Sequence, residues 1–226
     1  MSSLSLLRHP FARITGARGK WVPVLAWALL AVFVALLARR NDHAVDWALA
    51  RGFGAVSMPL LVFAVFGLVC PEGTLAGAAR PLVFLGAPAR RAAFAVASTV
   101  VGVSALVCAA LAALVVVIAH GPTDPPLGAD LLASSVVGAL GGAAYAAYFS
   151  FGSSLFGTAG RGIFLVADLV LGGLGAGALV SPRAHVRALF GGPLAAHVSL
   201  RGSSIALAVM LVVFVLLATL RSRQKR

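Results

Sequence analysis

The sequence predicts an all-α polytopic membrane protein, and its composition and hydropathy pattern carry that prediction. Hydrophobic residues make up 61% of the chain and charged residues only 11%, with a mean hydropathy of +1.02. An ordinary soluble domain is about half apolar and about a quarter charged. The apolar residues fall into six long runs separated by short basic loops, at 21–38, 53–70, 92–119, 131–160, 162–180 and 202–220.

Each of these runs predicts one transmembrane helix. A spanning helix needs roughly 20 apolar residues, and every run is that long or nearly so. Because lipid offers no water to backbone groups, helices are the expected conformation, and the alternating pattern of a β-barrel is absent. The six-helix transmembrane domain covers residues 21–220, and residues 221–226 form a basic cytoplasmic tail.

Residues 1–20 predict an amphipathic helix that lies at the membrane interface. Leu4, Leu7, Phe11 and Ile14 recur at helical spacing among basic residues, which is the composition of an interfacial segment. A disordered basic tail is the alternative interpretation.

The distribution of Lys and Arg predicts an N-in/C-in orientation. With the N-terminus inside, 12 of the 18 basic residues lie on inner segments and 6 on outer segments. The positive-inside rule favours this arrangement, although Arg39 and Arg40 at the outer end of the first run oppose it. The net charge of +12 is assigned to topology and to contact with anionic membrane lipid, not to nucleic acid.

Two loops are longer than their connections require. Residues 71–91, between the second and third runs, have an Ala- and Leu-rich interior between prolines, which predicts a short cytoplasmic helix. Residues 181–203, before the sixth run, mix apolar residues with basic ones and are interrupted by Gly191, Gly192 and Pro193. They predict a broken outer segment of two short helices dipping into the outer leaflet, with an irregular loop as the alternative.

Small residues at four-residue spacing predict close helix packing, within one subunit or between subunits. These residues are Ala105, Ala109 and Ala113 in the third run, Gly138 and Gly142 in the fourth, and Gly173 and Gly177 in the fifth. Cys70 and Cys108 belong to no CxxC pair and are interpreted as packing residues.

Catalytic motifs are missing. Phe156 occupies the position where a serine nucleophile elbow needs Gly, so Ser153 and Ser154 are expected to bond the local backbone. The sequence contains no Walker A loop and no Cys/His metal spacing. We therefore predict that the chain is not an enzyme and holds no cofactor, and that any ATP and Mg²⁺ are bound by a separate partner chain.

Two acidic residues stand in unusual places. Asp168 lies about six residues into the fifth run, roughly 9 Å along a helix axis. A carboxylate at that depth costs ~2.5–3.5 kcal/mol on insertion scales, so it should face protein or water. Glu72 follows Pro71 where the second run leaves the membrane, and is expected to pair with a loop arginine or to cap the next helix.

The segment Pro71-Glu72-Gly73-Thr74-Leu75, followed downstream by Pro88, Arg90 and Arg91, resembles the cytoplasmic loop of type-2 ABC transporter permeases. The six runs, the interfacial N-terminal helix and the broken outer segment are similar to that family as well. Ala89 stands where the family usually has a small polar residue.

The resemblance implies a function and a set of partners. It implies a permease subunit that forms a homodimer, or a heterodimer with a related permease, in the bacterial inner membrane. Separate ABC ATPase subunits would dock on the cytoplasmic face and drive alternating access, in the direction of export. The residues that would form the ATPase-coupling loop are Glu72, Gly73, Thr74, Leu75, Pro88, Arg90 and Arg91.

Other classes of function are also considered. A self-sufficient carrier or channel would place charges or broken helices near the midplane, and Asp168 is the only charge within the six runs. A non-transporting scaffold or accessory subunit would have the same composition, whereas a membrane enzyme lacks a matching motif. No motif identifies the substrate, since lipid, peptide, drug and polysaccharide carriers share these features.

Overall fold

The computed structural model describes residues 18–122, 124–173, 175–194 and 197–222, and every regular element in these ranges is helical. Most of the predicted interfacial helix at 1–20 and of the basic tail at 221–226 lies outside these ranges. Within the described residues, five stretches are long and apolar enough to cross a membrane, which confirms the helical architecture of a multi-pass membrane protein. They are Gly19–Arg40, Val45–Val69, Ala89–Ala119, Leu127–Leu171 and Leu200–Arg221.

Helix α1 (Val22–Arg40) follows a short 3₁₀ turn at Arg18–Trp21. It ends with Arg39 and Arg40, whose positive charges complement the partial negative charge at a helix C-terminus. Arg39 also donates a hydrogen bond to the backbone carbonyl of His120. These contacts give the arginine pair, which opposes the positive-inside rule, a local structural role.

Helix α2 covers Val45–Val69 and begins eight residues before the predicted run at 53–70. Its middle part, Ala48–Ser57, is π-helical. Gly52 lies against the side chain of Val34 on α1, and a Cβ at Gly54 would be 3.0 Å from the ring of Phe190. The run predicted from hydropathy began too late because the helix continues through Asp46 and Arg51.

Helices α3 (Leu75–Phe84), α4 (Ala89–Ala119) and α5 (Leu127–Phe156) follow in order. The predicted Gly138/Gly142 pair packs α5 closely on α4. A Cβ at Gly138 would lie 2.7 Å from the carbonyl oxygen of Cys108, and one at Gly142 would lie 2.7 Å from that of Ser104. This glycine pair therefore forms a contact within one chain.

The stripe on α4 that meets these glycines is displaced by one residue from the prediction. Ser104, Cys108 and Ala112 face α5 and are buried, whereas the predicted set of Ala105, Ala109 and Ala113 is half-buried. Cys70 and Cys108 form no disulfide and are fully buried, as expected of packing residues.

Helix α6 (Gly160–Leu171) returns antiparallel to α5 through a tight turn. Gly157 has a φ of +66°, a left-handed conformation that favours glycine, and residues Gly157–Ala159 form one 3₁₀ turn. Gly160 then lies against the backbone carbonyl of Gly152. A side chain at Gly152 or at Gly160 would separate α5 from α6.

The predicted fifth span at 162–180 is not one continuous helix. Helix α6 has 12 residues, about 18 Å in length, which is shorter than the roughly 30 Å hydrocarbon core. After Gly172 and Gly173 the chain folds back as a 3₁₀ helix at Gly175–Val180, where Gly177 packs on Leu171. Gly173 and Gly177 therefore do not form a helix-packing pair, because the α-helix ends before them.

Helix α7 (Pro182–Leu189) precedes the last helix, α8 (Leu200–Arg221). Among the described residues of the predicted broken outer segment at 181–203, α7 is the one short α-helix that forms. Gly191, with a φ of +82°, ends it, and no second α-helix follows among the described residues before Leu200. Ser199 caps α8 by accepting a hydrogen bond from the backbone N–H of Gly202 at 3.1 Å.

Contacts between helix ends define two faces of the bundle. One face, which we call the terminal face, carries Lys20, Thr74, Arg161 and Ser222. Lys20 at the start of α1 and Arg161 at the start of α6 line one groove there. Thr74 in the loop after α2 and Ser222 at the end of α8 line another. On the opposite, distal face, the backbone N–H of Val45 donates to Asp124, and Gly191 lies beside Asp46. The described chain thus begins and ends on the same face.

Candidate functional site: loop 70–88 and the Asp168 network

The loop from Cys70 to Pro88, which contains α3, leaves α2 through a tight turn. The backbone N–H of Gly73 donates to the carbonyl oxygen of Cys70 at 2.9 Å. Gly73 has a φ of +75°, and a Cβ there would lie 3.1 Å from the side chain of Thr158. The turn therefore needs glycine both for its backbone conformation and for its approach to the α5–α6 hairpin.

Thr74 starts α3. It has extended backbone angles, and its hydroxyl oxygen accepts a hydrogen bond from the backbone N–H of Gly77 at 3.1 Å, which is the geometry of an N-cap. Glu72 lies over the same first turn, with its Cβ 2.9 Å from the position a Cβ on Gly77 would occupy. A carboxylate beside a helix N-terminus is electrostatically favourable, so Glu72 supports the capped turn.

Helix α3 has one buried and one exposed face. Leu75, Ala78, Ala79 and Leu82 are buried, at the i, i+3, i+4 and i+7 spacing of an amphipathic helix. The exposed side and the end of the helix carry Arg80, Val83, Phe84 and Leu85. Phe84 is 87% exposed and Leu85 is 63% exposed. The loop is therefore attached firmly to the bundle while it displays an apolar tip.

A second turn leads from α3 into α4. The backbone N–H of Ala87 donates to the carbonyl of Leu82 at 3.0 Å, and Gly86 has a φ of +87°. Pro88 precedes α4, whose first turn contains the exposed residues Arg90 and Arg91. Cations at a helix N-terminus oppose the helix dipole, so the energetics of α4 itself do not account for this pair.

The seven residues predicted for the coupling loop thus lie on one ordered segment. A groove of about 540 Å³ runs along it. Its lining includes Thr74, Arg80, Phe84, Pro88, Arg90 and Ser222. Polar, basic and aromatic groups are therefore presented together on the terminal face.

The second site is a hydrogen-bond network around Asp168, which is 0% exposed. Its Oδ2 accepts a bond from the Tyr145 hydroxyl at 2.9 Å. Its Oδ1 accepts one from the Ser181 hydroxyl at 2.6 Å and one from the backbone N–H of Arg183 at 3.2 Å. Asp168 therefore faces protein, as its insertion cost requires.

This network fixes the start of α7. Ser181 is the N-cap residue of α7, but its hydroxyl caps no N–H of its own helix and donates to Asp168 instead. The acceptor for an N-terminal N–H of α7, that of Arg183, is therefore Asp168, which lies on a different helix, α6. Charge-assisted bonds of this kind are roughly twice as strong as neutral ones, which compensates for burying the carboxylate.

His185 makes a second set of contacts in the same region. It is 1% exposed, although the sequence placed it in an outer loop. Its Nε2 donates to the carbonyl oxygen of Leu179 at 3.1 Å, because a carbonyl oxygen can only accept, and its Nδ1 lies 3.2 Å from the Ser203 hydroxyl oxygen, within hydrogen-bond distance. His185 thereby connects α7 to the preceding 3₁₀ helix and to α8.

Sequence reasoning identified Asp168 but missed Tyr145, Ser181 and His185. The sequence carried a weak signal in the apolar neighbours of His185, Ala184 and Val186, both of which are buried. Ser153 and Ser154 donate to the carbonyl oxygens of Ser150 and Phe151, as predicted for local backbone bonding. Among the described residues, no group of three or more His, Cys, Asp or Glu side chains is placed to hold a metal ion.

Arg161, at the start of α6, was also missed as a site residue. Its guanidinium carbon lies 4.5 Å from the centre of the Phe63 ring and 5.7 Å from that of Phe66. These are cation–π distances. Arg161 therefore connects the α5–α6 hairpin to α2 at the terminal face.

Comparisons of the chain with protein-family models, with curated proteins and with solved structures found no match.

Proposed function

We propose that this chain is the permease subunit of an ATP-driven exporter of the type-2 ABC kind. Separate ATPase subunits would bind ATP and Mg²⁺, and the permease would move its substrate by alternating access. The observation that carries the proposal is the loop 70–88, which combines an exposed apolar tip with a rigid attachment to two long helices.

The chemistry of the tip favours docking to a protein. Phe84 and Leu85 project from the loop, and Arg80, Arg90 and Arg91 are exposed beside them. Aromatic residues and arginine are the side chains most enriched at binding hot spots. An ATPase surface with an apolar pocket and carboxylates around it would match this arrangement.

The attachment of the loop favours transmission of motion. Few residues separate α3 from α2 and from α4, and both connections are hydrogen-bonded turns with a glycine in the left-handed region. Leu75 and Leu82 are buried at the two ends of the helix. A displacement of Phe84 would therefore move the adjoining ends of α2 and α4 together.

For topology, we propose six crossings with both termini in the cytoplasm. The terminal face would be the inner one, because it carries Lys20, Arg80, Arg90, Arg91, Arg161 and Arg221. Helix α6 with residues 172–199 would make the fifth crossing, since α6 starts on the terminal face and α8 starts on the other. A short fifth helix followed by a broken segment agrees with the permease resemblance.

For assembly and location, we propose a homodimer, or a heterodimer with a related permease, in a bacterial inner membrane. A self-sufficient carrier is the main alternative function. Against it, both carboxylate oxygens of Asp168 already accept bonds from the surrounding scaffold. That arrangement suits a structural role better than reversible binding of a transported ion.

Site-specific photocrosslinking in native membranes tests the proposal. A benzophenone amino acid at Phe84 should form an adduct with an ATP-binding protein, identified by mass spectrometry. The same probe at Leu194, which is exposed on the distal side, is the control and should not capture that protein. Phe84→Glu should abolish ATPase co-purification while leaving membrane insertion intact.

The outcome that contradicts the proposal is equally specific. Phe84 adducts formed with lipid alone, together with unchanged transport in Phe84→Glu, would assign the tip to the membrane interface. A carrier or a scaffold protein would then be the better interpretation.

A further inference from the structure

A groove of about 550 Å³ lies between α1, α2 and α6 on the terminal face. Lys20 and Arg161 stand at its polar end. The rest of its lining is apolar or glycine: Gly19, Pro23, Trp27, Leu60, Phe63, Ala64, Gly67, Leu68 and Leu165. This groove is separate from the loop 70–88 and from the Asp168 network.

Among the described residues, no acidic side chain of the groove lining balances its positive charge. Two of its described lining residues are cationic and none is acidic. The Nη1 of Arg161 is buried beside Gly67 and has no hydrogen-bond partner among the described residues. The rings of Phe63 and Phe66 stabilise the cation from one side, but they supply no hydrogen-bond acceptor.

The apolar part of the groove continues onto a lipid-facing surface. Trp27 and Leu165 are half-buried, and their neighbours one turn away on the same helix faces, Pro23 on α1 and Leu169 on α6, are exposed. A ligand that fits must therefore have an anionic end at the membrane surface and an apolar part directed into the bilayer. Free anions match only the first requirement.

We propose that this groove binds an anionic phospholipid of the inner leaflet. The phosphate would lie between Lys20 and Arg161, and an acyl chain would run along Trp27 and Leu165. Clusters of basic residues at the membrane surface attract anionic lipid with roughly a fivefold enrichment for each cation. The proposal does not depend on an ATPase partner, so it can fail while the permease proposal holds.

Tryptophan quenching by brominated lipid tests the site. In the variant Trp21→Phe/Trp47→Phe, Trp27 is the remaining tryptophan of the chain. The variant is reconstituted in phosphatidylcholine vesicles that contain a minor fraction of dibrominated phosphatidylglycerol or of dibrominated phosphatidylcholine. We expect stronger quenching by the phosphatidylglycerol at equal bromine content.

The charge variants identify the headgroup contacts. Arg161→Gln should reduce the preference for phosphatidylglycerol roughly fivefold, and Lys20→Gln, at an exposed residue, should have the same direction of effect. Arg80→Gln is the matched control, because Arg80 is exposed on the same face but does not line this groove. Lys20→Gln keeps the test valid if Arg161→Gln fails to fold.

Three results would overturn the proposal. Equal quenching by both brominated lipids in all variants would mean that the groove does not select for charge. Absence of quenching by either lipid would mean that protein, such as a second copy of this chain, covers Trp27. Loss of the preference in inorganic phosphate, but not in sulfate of equal ionic strength, would assign the site to free phosphate.

Discussion

The loop 70–88 and the segment 175–189 are both short helical connections between longer helices, but they are ordered in different ways. The loop uses local bonds, such as Thr74 to Gly77, whose partners are three residues apart. The segment depends on Asp168 and on His185, whose bonds reach Tyr145 and Ser203, 23 and 18 residues away. The loop also exposes its apolar end, whereas the segment buries its polar residues.

This difference separates their roles. A locally capped helix keeps its conformation while its outer surface remains available, which suits contact with another protein. A segment fixed by buried bonds is part of the bundle, and losing one bond leaves other groups unsatisfied. The comparison predicts that damage to the segment is global and damage to the loop is local.

The largest effect is expected for Asp168→Leu. It leaves the Tyr145 hydroxyl, the Ser181 hydroxyl and the Arg183 N–H without an acceptor, at about 1–3 kcal/mol for each group. Asp168→Asn keeps one acceptor oxygen and should cost less. Thermal unfolding in detergent with a thiol-reactive dye measures this, because the thiols of Cys70 and Cys108 form no disulfide and are buried until the bundle unfolds. A leucine variant as stable as the native chain would refute the role of the network.

A smaller and local effect is expected for Thr74→Ala. Removing the N-cap costs about 1 kcal/mol, and the exposed loop should fray without lowering the melting temperature of the bundle. Faster chymotryptic cleavage after Phe84, which is 87% exposed at the end of α3, reports the fraying. Thr74→Ser retains the hydroxyl and serves as the control. If the melting temperature of the bundle falls in Thr74→Ala as it does in Asp168→Leu, the loop is not an independent local unit.

The smallest effect, with the opposite sign, is expected for Arg187→Met. Arg187 lies one turn from Arg183 on α7, and its Nε is buried without a hydrogen-bond partner among the described residues. Its charged form is therefore disfavoured in the fold, and a neutral side chain should raise stability by about 0.2–0.5 kcal/mol, as for other like-charge pairs one turn apart. Arg183→Met is the contrast, because Arg183 donates to the carbonyl of Leu169 and should lose stability. Equal melting temperatures would show that solvent screens the repulsion.

Local signals explain what could be predicted at the candidate site. The Ala- and Leu-rich interior of residues 71–91 predicted the short helix. In the structure Gly73, Thr74 and Pro88 each act on their own turn, through a positive φ, an N-cap or a restricted φ. The exposed position of Phe84 is different. It depends on which face of α3 packs on the bundle, and the sequence did not single it out.

The sequence by itself determined that this chain forms long apolar helices with basic connections, because apolar run length and charge act through the bilayer on each segment separately. Only the tertiary structure decided where the fifth run stops. The turn after Leu171 is fixed by Ser181 and Arg183 returning to Asp168, and by Tyr145 on α5. Tertiary packing likewise selected Ser104, Cys108 and Ala112 as the stripe beneath Gly138 and Gly142. Such choices depend on partners far apart in the chain, so no local pattern contains them.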